Sequence, residues 1–68
     1  MNFLAGDIIA HRSDTEDAYL ILEVFESDVL GNTITAETRT YYKMLRLNDG
    51  ELYRYRAKTI DELSVKIG

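Results

Sequence analysis

The stretch "YYKMLRLNDGELYRYRA", Tyr41 to Ala57, decides how this chain is read. Two runs rich in aromatic and apolar residues flank Asn48-Asp49-Gly50, the signature of a β-hairpin. The register of its two arms sets which side chains share a face, because a slip of one residue exchanges the sides. A two-residue Asp49-Gly50 turn would need positive φ at both positions. It would join Tyr42, Met44 and Arg46 with Tyr53, Tyr55 and Ala57, a face that buries an arginine. A three-residue Asn48-Asp49-Gly50 loop, with Gly50 alone in the left-handed region, instead joins Leu45 and Leu47 with Tyr53, Tyr55 and Ala57. The hydrophobic pattern favours this second register.

In that register the opposite face gathers Tyr42, Met44, Arg46, Leu52, Arg54 and Arg56. Arginine hydrogen bonds and aromatic stacking there suit an acidic or nucleic-acid partner, so Tyr42, Met44, Arg46, Arg54 and Arg56 are the candidate partner-binding residues. The competing expectation is structural. Glu23 and Glu26 on the preceding strand would neutralise the arginines, whose apolar stems would cover the sheet.

Outward from the hairpin, Arg39 to Leu47 and Glu51 to Ala57 read as its strands. "AYLILEVFES", residues 18–27, fits a strand that is apolar on both sides until its end. A helix over about 14–30, capped by Ser13 with Glu16 and ended by Gly31-Asn32, is the alternative, but its apolar stripe is imperfect. Asp7 to Arg12 is a short strand, "SDTED" (Ser13 to Asp17) a polar turn, and Asp28 to Thr38 a long loop or irregular hairpin. Thr59 and Glu62 have capping-box spacing, which predicts a single helical turn in "KTIDEL" before a last short strand, Val65 to Ile67.

Sixty-eight residues without proline or a linker make one domain, residues 1–68. A core of that size supplies only about 3 to 5 kcal/mol of net stability. With no cysteine there is no disulfide, thiolate zinc site or thiol nucleophile. Efficient packing or self-association must supply the rest, which makes a homodimer plausible. The longest apolar run, Ala18 to Leu22, is far short of the roughly 20 residues that span a bilayer. Neither a membrane nor a targeting segment is expected, and the cytoplasm is the expected compartment.

The net charge of -4 conceals a division: residues 1–37 hold eight acids and one base, residues 38–68 seven bases and four acids. Opposite signs in so small a domain are expected to pair across strands. His11 is the one histidine, with Ser13 two residues on, but no acid is placed to orient the imidazole and no serine lies in a nucleophile elbow. "SDTED" lacks the spacing of a calcium loop, and none of the four glycines lies in a phosphate-cradling motif. Neither catalysis, a metal nor a cofactor is expected.

In the order "GDIIA", "YYKMLRLNDGELYRYRA", "KTIDEL" and "VKI", the chain resembles a Src-homology-3-like small barrel of the Tudor or KOW kind. The resemblance is architectural and covers most of the chain. It implies a mainly β fold: a small five-stranded antiparallel barrel with one short helical turn near the C-terminus. The alternative is an α+β fold in which the helix at about 14–30 packs on the hairpin. The sequence has no tryptophan and no tandem aromatic groove for proline-rich ligands. Because one fold hosts many functions, the expectation for activity stays general. It is a non-enzymatic protein-interaction module, an accessory or regulatory protein of a bacterium or phage, with another protein as partner. Single-stranded nucleic-acid binding by the same face is the alternative, and an acidic inhibitor docking through Asp14, Glu16 and Asp17 on a basic enzyme surface the second.

Overall fold

The computed structural model describes residues 2–30 and 36–68. Its elements in chain order are β1 (Ile8–His11), β2 (Asp14–Leu30), β3 (Ala36–Arg46), β4 (Leu52–Arg56), α1 (Ala57–Leu63) and β5 (Ser64–Lys66). The strands form one antiparallel sheet in the order β4-β3-β2-β1-β5. The fold is therefore mainly β, with one short helix near the C-terminus, as the element order implied. Residues 18–27 are strand, and the helical alternative does not form.

The sheet does not close into a barrel. Helix α1 contacts β3, β4 and β5, so it lies across one face of the sheet and occupies the space through which β4 and β5 would meet. That covered side is called the front here. Its core is Phe3, Ile9, Ile21, Tyr42, Met44 and Ala57, with Tyr19, Val24 and Ile60 packed against it.

A bulge in β2 explains why residues 18–27 look apolar on both sides. Ile21 lies opposite Met44 but Glu23 lies opposite Lys43, so Leu22 is an extra residue and the alternation of side chains shifts by one. Tyr19 and Ile21 before the bulge and Val24 after it all reach the front. Leu20, Glu23 and Phe25 share the back.

The hairpin corrects the expected register. Arg46 N–H donates to the Glu51 carbonyl (2.8 Å) and Gly50 N–H to the Arg46 carbonyl (2.8 Å), which leaves a four-residue loop, Leu47 to Gly50. Gly50 has φ 73° and no other loop residue has positive φ, so only the glycine takes the left-handed conformation. Met44 then pairs with Tyr53 and Tyr42 with Tyr55, which puts Tyr53 and Tyr55 on the front with Tyr42, Met44 and Arg46. The objection to this face was a buried arginine. Asp17 answers it: Arg46 Nε donates to Oδ1 at 2.9 Å and Nη2 to Oδ2 at 3.2 Å, and both side chains remain about one-third exposed.

Three local expectations also change. Most of "SDTED" lies in β2, since the turn after β1 is only Arg12-Ser13. Strand extends through Leu30 and resumes at Ala36, so of the two readings of Asp28 to Thr38 the long loop gives way to the hairpin, with residues 28–30 paired to 36–38. The Gly31-Asn32 turn signal lies outside the described residues. Helix α1 runs seven residues from Ala57 with no side-chain cap, so Thr59 is inside it and the capping box does not form.

Candidate interaction surface

The front of the sheet is internally satisfied. Tyr42 Oη donates to Asp61 Oδ1 (2.6 Å) and accepts from Phe3 N–H (3.2 Å) and Asn2 N–H (3.3 Å). One phenol thus ties β3 to α1 and to the N-terminal segment. Burial, and then the Asp61 hydrogen bond, push its pKa up to about 12. The Arg46 guanidinium is held above its ordinary pKa, chiefly by its hydrogen bond to Asp17. Burial, followed by the Asp17 charge, raises Tyr19. Tyr19 meets Tyr53 edge-on at 5.9 Å, and Tyr53 stacks on Tyr55 at 5.8 Å.

A cleft of about 370 Å³ opens between this face and α1, with Ile9, Met44 and Ile60 among its apolar lining and His11, Asp14 and Asp17 among its polar lining. His11 Nδ1 accepts the backbone N–H of Ser13 at 3.0 Å, so the histidine braces the β1–β2 turn. The Ser13 group that meets His11 is an amide, not the hydroxyl a nucleophilic pair would need. No group of three or more metal-ligating side chains occurs among the described residues. No helix among them is long and apolar enough to cross a membrane.

The back of the sheet is built differently. Ile8, Leu20, Leu45 and Leu52 lie opposite one another across four strands and form an apolar row. Beside it runs a charged row, Glu23, Lys43 and Arg54. A third row follows, Phe25, Tyr41 and Arg56, whose two rings stack at 5.7 Å and 17°. Leu52 is 58% exposed while Ile8, Leu20 and Leu45 are half-buried, and α1 lies on the other side. Such rows are what a sheet face presents when its cover is missing.

The five residues expected to form one face are therefore divided. Tyr42 and Met44 are core, 0% and 2% exposed, and Arg46 is the partner of Asp17. Arg54 and Arg56 stand on the back, exposed, with no recorded ion pair. Glu23 lies opposite Lys43 in the row of Arg54, and Glu26, opposite Thr40, has the parity of the front, so neither stands directly across from an arginine as expected. Cross-strand pairing of the two oppositely charged halves is realised elsewhere, in Asp17–Arg46 and in Asp7–Lys66 (3.4 Å). Asp7 is held below its ordinary pKa, first by the Leu4 N–H and also by Lys66.

Sequence reasoning missed the leucine row and the Phe25–Tyr41 pair. The row reaches Leu52 only through the hairpin register, and the ring pair forms only through the bulge at Leu22, neither of which the residue pattern alone fixes.

The chain matches no protein-family model, no curated protein and no solved structure.

Proposed function

We propose that the chain is a non-enzymatic protein-interaction module and that its contact surface is the back of the sheet. One observation carries this reading: an apolar row, half-buried at Ile8, Leu20 and Leu45 and exposed at Leu52, runs beside the cations Lys43, Arg54 and Arg56. An apolar centre with a charged rim is the usual anatomy of a protein interface. Glu23 is the one acid in these rows, so the complementary partner presents apolar side chains rimmed by carboxylates. A second copy placed back to back would set cations against cations.

The test is to place a photo-crosslinking residue at Leu52 or, as the control, at Glu16. Recovery of one defined protein from Leu52 alone, lost on R54E/R56E without a fall in melting temperature, supports the proposal. Equal recovery from both positions would sink it.

The stacked Phe25 and Tyr41 beside Lys43 and Arg56 favour a second reading, single-stranded nucleic-acid binding. Aromatic faces and basic groups on one surface are its ingredients. It requires an oligonucleotide affinity that drops steeply as salt rises. No binding at low salt would remove it.

A further inference from the structure

Strand β4 is one edge of the sheet, and its backbone polarity follows from the hairpin. The Arg46 N–H bond to the Glu51 carbonyl makes those residues a hydrogen-bonded pair. Antiparallel ladders alternate, so Met44–Tyr53 and Tyr42–Tyr55 are the next such pairs. Tyr53 and Tyr55 therefore spend their amide groups on β3. Leu52 and Arg54 direct both N–H and C=O away from the sheet, and Arg56 directs its N–H the same way, its carbonyl beginning α1. Among the described residues, no recorded hydrogen bond takes up these outward groups.

The side chains beside this edge alternate in chemistry. Leu52, Arg54 and Arg56 stand on the back, while Tyr53 and Tyr55, the latter 44% exposed, stand on the front. We propose that β4 is a docking edge for an extended acidic segment of a partner protein, which adds to the sheet as a further strand. This rests on the reading of the chain as a protein-interaction module and narrows what the partner must present. Backbone hydrogen bonds to Leu52, Arg54 and Arg56 would hold the incoming strand, and alternate side chains would set specificity. Carboxylates every second residue would face Arg54 and Arg56, and the residues between them, apolar or aromatic, would lie against Tyr53 and Tyr55.

The same features argue against a second copy at this edge. Two β4 strands in their longest antiparallel overlap put Arg54 opposite Arg54, and like charges directly opposite are destabilising. Arginine on an edge strand thus discourages self-pairing while leaving the edge open to an acidic strand.

The probe is a synthetic peptide alternating Glu with Val and Tyr, long enough to match β4, in three forms: unmodified, N-methylated on one set of alternate residues, and N-methylated on the other. Methylating the set that faces β4 should weaken binding by about tenfold or more, while the other set should bind like the parent. On binding, the Leu52, Arg54 and Arg56 amides should become protected from hydrogen exchange. R54Q and R54P both remove the charge, but only the proline also removes the outward N–H, so R54P should bind more weakly than R54Q. Proline is tolerated on an edge strand whose N–H faces solvent, and the methylated peptides decide the matter if R54P fails to fold.

Equal binding of all three peptides, or no protection at Leu52 and Arg54, overturns strand addition. So does the absence of any peptide binding. If crosslinking from Leu52 still recovers a protein in that case, the interaction module stands and only the edge is wrong. If crosslinking fails too, both readings fall.

Discussion

The two faces of the sheet share a backbone but solve opposite problems. On the front, the polar groups that reach the core have partners: Arg46 has Asp17, and the Tyr42 phenol has Asp61 and two backbone amides. On the back, Leu52 is left in water, and Arg54 and Arg56 make no ion pair among the described residues. Stability is thus concentrated on one side, which frees the other to be read as a surface.

Substitutions that ignore this division should behave alike, whereas the structure requires them to differ. Met44→Ala, at the centre of the front, should cost about 2 to 5 kcal/mol. That is comparable to the whole stability of a chain this size, about 3 to 5 kcal/mol. Chemical denaturation should find the variant unfolded or nearly so, and a cost below about 1 kcal/mol would show that the front is not the core. Ile21→Val, at about 0.5 to 1.5 kcal/mol, gives the graded version of the same measurement.

Tyr42→Phe comes next, at about 1 to 3 kcal/mol, because the buried Phe3 N–H loses its acceptor. It also has a pH signature. Folding raises the Tyr42 pKa from 10.0 to about 12, so the folded state holds the proton more tightly than the unfolded one. The stability this provides is fully present below pH 10 and is lost as pH rises toward 12. In thermal melts across that window, Tyr42→Phe should flatten the alkaline fall. The residual slope belongs to Tyr19, raised in the same direction.

Asp17→Asn should cost less, about 0.5 to 1 kcal/mol, because the Arg46 pair is partly exposed to solvent. Added salt should narrow the gap to the parent protein, and a gap that widened would mean the pair is not screened as drawn. Smallest of all is Leu52→Ala on the back, within about 0.5 kcal/mol. A loss as large as that at Met44 would show that the back is covered in the folded chain.

The strands themselves were legible. β-branched and aromatic enrichment marks a strand at Asp7 to Arg12, where β1 runs Ile8–His11, the central residues 18–27 of β2, and both arms of the hairpin, but not the polar ends of β2. What failed was the assignment of sides, for a specific reason. The hydrophobic pattern disfavours the face containing Arg46 because it buries a charge, yet the compensating carboxylate lies on the neighbouring strand, twenty-nine residues away. No local pattern encodes such a partner. Gly50 was read correctly as the left-handed residue, but a loop one residue longer returns Tyr53 and Tyr55 to the front. Of the five candidate contact residues, Arg54 and Arg56 remain on an open surface. Tyr42 and Met44 were placed with them only through the register.

The bulge at Leu22 has a consequence for how this chain tolerates change in length. It acts as a phase shifter: side chains from Asp17 to Ile21 follow one inside–outside rhythm, and those from Glu23 to Ser27 follow the complementary one. Removing that single residue would set Ile21 and Glu23 side by side opposite Met44 and Lys43, giving one uninterrupted rhythm that keeps Val24 on the front and Glu23 and Phe25 on the back. The chain can therefore lose a residue at the bulge without exchanging core and surface, because the sides beyond it are fixed by pairing with β3.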